Sequence, residues 1–134
     1  MSLRCLIVDD NAGFLRSARL LLEGQGITVT AVASNGDEAL RQAEALRPDV
    51  VLVDIDLGGE SGFDVVGRLH RRLERAPSDL ILISTHCEED FADLIAANPV
   101  VGFISKPRLS AHAIHRLLDR DEDGAPPAAE LRGT

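Results

Sequence analysis

The chain has 134 residues and a formal net charge of −8, with 45% hydrophobic and 27% charged residues. This length predicts one domain around one core, and the negative charge, without a basic stripe or any Trp or Tyr, argues against direct nucleic-acid binding. No apolar run approaches the ~20 residues that a membrane span needs, and the N-terminus lacks the layout of a secretory signal, so we expect a cytoplasmic protein without membrane contact.

The first half of the chain alternates apolar runs with helical stripes. The predicted strands here are Leu3–Val8, Ile27–Val32 and Val50–Val53, the last running straight into Asp54. Asn11 is the predicted N-cap of the first helix, which ends at Gly24 and Gly26. The inward face of this helix is expected to consist of Phe14, Ala18, Leu21 and Leu22. A second helix follows the Asn35-Gly36 turn and ends before Pro48. Its inward face is expected to consist of Ala39, Leu40, Ala43 and Leu46.

The second half continues the alternation. Leu80–Ile83 and Val100–Ile104 are the predicted strands. The third helix begins after Gly58-Gly59 and ends at Ala76-Pro77, and its inward residues are Val65, Val66, Leu69 and Leu73. A short fourth helix is predicted over Glu88–Ala97, with the inward residues Phe91, Leu94 and Ile95. The last helix runs from Ser110, an N-cap, to about Arg120, and its inward residues are Ile114, Leu117 and Leu118.

Five strand–helix units of this length predict an α/β fold, a single doubly wound (βα)5 domain over residues 1–120 with a parallel sheet and helices on both faces. Two strand orders remain open, the flavodoxin-like order 2-1-3-4-5 and a Rossmann-like half. The first strand–helix turn, from Asp9 to Gly13, lacks the G-x-G-x-x-G pattern, which argues against dinucleotide binding. Residues 121–134 are acidic and rich in Pro and Ala, and we predict a flexible tail or a truncated linker.

The candidate functional residues follow different strands, at the edge where ligands bind in open parallel sheets. They are Asp9 and Asp10 after the first strand, Asp54 and Asp56 after the third, Ser84 and Thr85 after the fourth, and Lys106 after the fifth. Crowded carboxylates need a cation, and an all-oxygen cluster suits Mg²⁺, for which Mn²⁺ could substitute. A lysine and a hydroxyl beside it fit a phosphoryl group. Taken alone, each of these residues is more often a turn, loop or helix-cap residue than part of a functional site, so the prediction depends on the joint pattern.

The sequence resembles the receiver domain of two-component response regulators. The resemblance covers about Arg4 to Arg120, and the segments that carry it are Ile7–Asn11, Asn35–Leu40, Pro48–Asp54, Gly62–Val65 and Gly102–Pro107. It implies the strand order 2-1-3-4-5 and a Mg²⁺-dependent phosphoacceptor switch in phosphorelay signal transduction, not an enzyme acting on a separate substrate. The partner implied is a sensor histidine kinase. The output implied is a switched surface of helix 4, strand 5 and helix 5, which could form a homodimer or control an effector domain, for example in transcription regulation.

The same resemblance implies a role for each matching residue. Asp54 is the expected phosphoacceptor. Asp10 is expected to bind Mg²⁺ directly and Asp9 mainly through water, with Asp54 and the backbone carbonyl of Asp56 completing the ligands. The remaining expected roles are the switch hydroxyl at Ser84, a salt bridge to the phosphoryl group at Lys106, and an aromatic switch at Phe103. No DNA-binding domain follows Arg120 in this chain.

Two polar positions and one glycine distinguish this sequence within that pattern. Asp56 lies two residues past the predicted nucleophile, and His86 lies two residues past Ser84. We predict that both side chains tune how fast phospho-Asp54 loses its phosphoryl group, against the alternative that they are only solvated loop residues. Gly58 stands where the family often has Pro, which predicts a more flexible loop.

Two other functions compete with this prediction. The Asp54-x-Asp56 motif also resembles the nucleophile motif of haloacid-dehalogenase-type phosphatases, in which the second Asp is a general acid/base. Those phosphatases generally carry the motif on their first strand and have a later acidic pair, which is missing after Lys106. A degenerate receiver used only as a binding module is the third possibility, and the intact acidic set argues against it.

Overall fold

The computed structural model describes the backbone of residues 2–123 and side chains to residue 119. Five parallel strands form one sheet in the order β2-β1-β3-β4-β5, which confirms the doubly wound α/β prediction. The strands are β1 (Arg4–Val8), β2 (Thr28–Ala33), β3 (Val50–Asp54), β4 (Asp79–Ser84) and β5 (Gly102–Ser105). All five lie within two residues of the predicted starts and ends.

Five helices connect and cover the strands. They are α1 (Ala12–Gly24), α2 (Gly36–Leu46), α3 (Gly62–Arg72), α4 (Ala92–Ala96) and α5 (Ala111–Asp123). Side chains of β3 alternate between two cores because successive residues of a strand point to opposite faces. Val50 and Leu52 pack with α1 and α5, whereas Val51 and Val53 pack with α2 and α3. The central strand is therefore buried on both faces, and Asp54 is its last residue.

Side-chain caps fix where the helices begin. Asn11 Oδ1 accepts a hydrogen bond from Phe14 N at 3.0 Å, and Ser110 Oγ accepts one from Ala113 N at 3.0 Å, which confirms both predicted caps. Asn35, predicted as a turn residue, is the N-cap of α2. At the end of α1, Gly26 has φ +93°, a left-handed conformation that glycine adopts without a steric penalty.

The predictions for α1 and α3 each need one correction. The buried face of α1 consists of Leu15, Ala18 and Leu22, whereas Leu21 is 41% exposed. Three consecutive leucines leave the rotation of the helix ambiguous in sequence, and packing of Leu15, Ala18 and Leu22 into the core with β1, β3 and α5 selects it. The prediction that α3 ends at Ala76-Pro77 is also wrong: α3 ends at Arg72, with Leu73 as its buried C-cap residue.

The predicted fourth helix over Glu88–Ala97 is the largest error. A 3-10 turn covers Glu88–Phe91, and α4 has only five residues. Leu94, predicted inward, is 49% exposed. The residues of this 3-10 turn are mostly acidic and exposed to solvent. The five residues of α4 form too few backbone hydrogen bonds to extend the helix further.

The C-terminal helix extends beyond its predicted end near Arg120. It reaches Asp123, so the predicted tail of residues 121–134 begins in helix, and its remainder lies outside the described residues. Within the part of the chain that the structure describes, no helix has the length and apolarity required to cross a membrane.

Candidate functional site

The carboxyl edge of the sheet brings together residues that are up to about a hundred positions apart in sequence. Strands β1 and β3 are neighbours, so Asp9, directly after β1, lies beside Asp54 at the end of β3. Lys106 follows β5 and reaches the same place. The predicted cluster of Asp9, Asp54 and Lys106 therefore forms, because a parallel sheet ends all its strands on one side.

Lys106 is held between two carboxylates. Its Nζ lies 2.6 Å from Asp9 Oδ2 and 3.1 Å from Asp54 Oδ2, where it donates a hydrogen bond. The Lys106 side chain is 15% exposed and that of Asp9 is fully buried. Lys106 Nζ and Asp9 Oδ2 form an ion pair, but their geometry is not that of a hydrogen bond. This buried oxygen therefore has no hydrogen-bond donor among the described residues.

Burial and charge act on the ionisation of both partners. Burial raises the pKa of Asp54, and the neighbouring charge of Asp9 adds to this effect. Burial alone would lower the pKa of Lys106, but its close contacts and charge interactions with Asp9 and Asp54 more than offset this and raise the pKa. The lysine is therefore held as an ammonium.

The carboxylates of Asp9, Asp10 and Asp54 fit a hard divalent cation. Oxygens from these three side chains all lie within 4.8 Å of one another. Asp9 contributes the buried oxygen that lacks a hydrogen-bond donor, and Asp10 is exposed at the mouth of the site. An all-oxygen set of this charge is the kind that Mg²⁺ prefers.

The loop after β3 folds back on its own carboxylates. Asp54 Oδ1 accepts a hydrogen bond from Asp56 N at 3.2 Å, and Asp56 Oδ1 accepts one from Gly58 N at 3.1 Å. The Asp56 side chain is exposed and Gly58 has φ +75°. Glu60 ties this loop to α2, since its Oε2 accepts a hydrogen bond from Gly36 N at 2.8 Å.

The predicted switch residues lie on the β4–β5 side of the site. Ser84 is 2% exposed, and its Oγ accepts a hydrogen bond from His86 N at 2.9 Å. Phe103 is buried in the core beneath α2 and α3. The exposed His86 ring packs edge-on against Phe91, with 5.9 Å between centroids. Among the described residues, no hydrogen bond joins Ser84 or His86 to Asp54.

Two features of the site have no counterpart in the sequence predictions. The Phe14 ring centroid lies 4.4 Å from Lys106 Nζ, although the helical pattern identifies Phe14 only as a core residue. At Gly62, the first residue of α3, a Cβ would collide with the backbone of Asp54. For the contact between Phe14 and Lys106, the sequence offers only the indication that position 106 is unusual: it holds the only lysine among the chain's 14 Lys and Arg residues.

Comparison with known families agrees with this geometry. Residues 5–118 match the family described as the response regulator receiver domain. The chain belongs to that family. The receiver match runs from the second residue of β1 through most of α5 and includes every residue of the carboxylate–lysine cluster.

Named relatives place the receiver in longer proteins. The chain is 33% identical over 131 residues to the DNA-binding response regulator MtrA of Mycolicibacterium paratuberculosis, covering 93% of this chain and 56% of MtrA. It is 32% identical over 123 residues to a protein-glutamate methylesterase/protein-glutamine glutaminase of Symbiobacterium thermophilum, covering 90% of this chain and 33% of that protein. The receiver thus spans about half the length of MtrA.

Solved structures agree on the fold. The signal receiver domain of a modulated diguanylate cyclase from Desulfovibrio desulfuricans superposes with a TM-score of 0.73 at 31% identity, covering 89% of this chain and 92% of that one. A LuxR-family response regulator from Aurantimonas has a TM-score of 0.76 at 22% identity, covering 97% of this chain and 91% of that one. Because its sequence identity is only 22%, the Aurantimonas structure shows similarity of fold alone.

Proposed function

We propose that this receiver is a phosphoacceptor switch in which Asp54 takes a phosphoryl group from a histidine of a sensor kinase. The observation that supports this most is the contact of Lys106 Nζ with Asp54 Oδ2 at 3.1 Å, in a site that also holds the carboxylates of Asp9 and Asp10. A nucleophile, a fixed cation and an anionic cluster suited to a metal are the parts that phosphoryl transfer needs.

The chemistry follows from the placement of Asp54. A carboxylate oxygen attacks phosphorus, the bond between phosphorus and the donor histidine nitrogen breaks, and that nitrogen leaves with the bonding electrons. Lys106 is placed to balance charge on a phosphoryl oxygen. Asp9, Asp10, Asp54 and the backbone carbonyl of Asp56 would hold Mg²⁺, which when bound supplies further positive charge at that group.

The proposed output begins at Ser84 and Phe103. Phosphorylation adds a charge of about −1.5 to −2 at Asp54 and three new acceptor oxygens. Ser84 donates no hydrogen bond to Asp54 among the described residues, so its hydroxyl has to move toward the phosphoryl group to donate to one of these oxygens. Because Ser84 Oγ also accepts a hydrogen bond from His86 N, this movement would shift the loop between β4 and α4. We propose that this change switches the α4–β5–α5 surface toward a partner, a second copy or an effector domain. Control of transcription is the output suggested by MtrA, a DNA-binding regulator.

Replacing Asp54 by asparagine is expected to abolish phosphorylation, because the amide lacks the nucleophilic carboxylate oxygen while keeping nearly the same shape. Wild type incubated with acetyl phosphate and Mg²⁺ should gain the mass of one phosphoryl group in intact-mass spectrometry. Asp64→Asn, an exposed acidic position on α3, is the matched control and should be phosphorylated like wild type. Equal phosphorylation of Asp54→Asn and wild type would contradict the proposal.

Asp56 and His86 are expected to shorten the lifetime of phospho-Asp54. Both residues are exposed, and they follow Asp54 and Ser84 by two positions, so we propose that their side chains orient an attacking water. We therefore expect Asp56→Ala and His86→Ala each to slow autodephosphorylation about threefold to tenfold, the value of one hydrogen bond. The measurement is the decay of phosphoprotein after removal of the donor, with His70→Ala on α3 as a control. Unchanged decay in both variants would leave these residues as solvated loop positions.

A further inference from the structure

An aromatic ring covers one side of the Lys106 ammonium. Nζ lies 4.4 Å from the centroid of Phe14, while Asp9 Oδ2 and Asp54 Oδ2 lie 2.6 and 3.1 Å from the same nitrogen. A cation at this distance from a ring face is attracted by the negative face of the π system. Lys106 is thus held by two carboxylates and one aromatic face.

Hydrogen bonds that start at Asp9 fix the backbone that carries this ring. Asn11 N donates to Asp9 Oδ1 at 2.8 Å, and Phe14 N donates to Asn11 Oδ1 at 3.0 Å. The N-cap of α1 therefore connects the backbone of Phe14 to the carboxylate that pairs with Lys106. Ring, carboxylate and cation therefore belong to one local unit, in which the Phe14 backbone cannot shift without disturbing the cap.

The chemistry of lysine explains why an aromatic partner matters here. The ammonium is a compact charge on a flexible four-carbon stem, so it needs partners on several sides to be held in one place. A ring supplies attraction without a lone pair, so it does not compete with a phosphoryl oxygen as a third carboxylate would. Every other cationic residue of the chain is arginine, and lysine occurs only at this position.

We propose that Phe14 is a positioning residue that holds the Lys106 ammonium over Asp54 and thereby sets the rate at which Asp54 is phosphorylated. The effect on rate rests on the function proposed above, whereas the contact between ring and ammonium does not. A purely structural role is the alternative, because Phe14 also packs against the core beneath α1 and α5. Leucine at this position would preserve most of that packing and remove the π face.

The test uses Phe14→Leu, with Phe14→Tyr as the aromatic rescue. Phe63→Leu is the matched control, since Phe63 is also half-buried but contacts Phe91, at 6.1 Å between centroids. The single lysine permits a clean readout: selective isotope labelling gives one lysine side-chain signal in NMR. In wild type, ring current should place the Lys106 Hε signal upfield of its position in Phe14→Leu, while Phe14→Tyr and Phe63→Leu should keep it upfield.

The second readout is the rate of phosphorylation by acetyl phosphate. We expect Phe14→Leu to be about threefold to tenfold slower, the range of a partly buried cation–π contact, and Phe14→Tyr and Phe63→Leu to be near wild type. The proposal would be overturned if the Lys106 Hε signal of Phe14→Leu stayed at its wild-type position. It would also be overturned if Phe14→Leu and Phe63→Leu slowed phosphorylation equally. A shifted signal with no change in rate would also overturn it. If wild type takes no phosphate while the NMR shift is present, the proposed function fails and the contact stands.

Discussion

Replacing Gly62 by alanine is expected to lower the free energy of unfolding by about 3 kcal/mol, the upper end of the usual cost of overpacking. Gly62 opens α3, and its N donates to Ile55 O at 2.6 Å. A Cβ here would collide with the carbonyl oxygen of Asp54 and lie 2.8 Å from both Asp54 C and Ile55 Cα. All these atoms belong to the backbone of β3 and of the residue that follows it, so no side chain can move aside to relieve the clash.

The same variant should also displace Asp54, because α3 can make room only by moving away from the end of β3. Urea unfolding followed by far-UV circular dichroism is the suitable measurement, since the chain has no Trp or Tyr. Gly59→Ala, in the loop before α3, is the control: a Cβ there has no neighbour within 4 Å among the residues that the structure describes. Equal stability of Gly62→Ala and Gly59→Ala would contradict the close packing of α3 on β3.

Replacing Lys106 by methionine is expected to have the second large effect. Without the ammonium, Asp9 and Asp54 face each other with no ion-pair partner among the described residues, and Asp9 is fully buried. Removing one partner of a buried ion pair costs about 3–5 kcal/mol, which partial solvent access at Lys106 reduces here to roughly 1–3 kcal/mol. The loss in free energy of unfolding should be largest in EDTA and smaller in Mg²⁺, because a bound cation replaces the charge of the missing ammonium.

Thermal unfolding of Lys106→Met in EDTA and in Mg²⁺ measures this effect. Arg108→Met is the matched control, since Arg108 is an exposed cation two residues away with no ion-pair partner among the described residues, and it should change stability by less than about 0.5 kcal/mol. A Lys106→Met variant as stable as wild type in EDTA would show that the two carboxylates do not depend on this cation. A variant that is destabilised in EDTA and gains nothing from Mg²⁺ would contradict a metal site at the same carboxylates.

The sequence predicts the sheet and the cluster well because both depend on simple geometry. An apolar run as short as Val50–Val53 between turn signals fits only a buried strand, and parallel strands place the residues after them on one edge. Asp9, Asp54 and Lys106 meet for this reason. The strand order had a different source: the residues left two orders open, and only the family resemblance chose between them.

The errors have equally specific causes. Rotation of α1 could not be predicted because Leu20, Leu21 and Leu22 are consecutive, so patterns one residue apart fit almost equally well. In the region of α4, apolar spacing favoured a helix, but tertiary contacts bury only part of Phe91 and Ile95. The ring of Phe14 contacts Lys106 from 92 positions away, a relation that helical periodicity does not encode.

The measurement that tests the central proposal most directly is chemical trapping of the phosphorylated residue. Borohydride reduces an acyl phosphate of aspartate to homoserine, which peptide mass spectrometry locates in the sequence. After treatment with acetyl phosphate and Mg²⁺, we predict homoserine at position 54 alone. Homoserine at Asp9, Asp10 or Asp56, or a phosphorylated chain with no reducible acyl phosphate, would contradict the assignment of Asp54 as the phosphoacceptor.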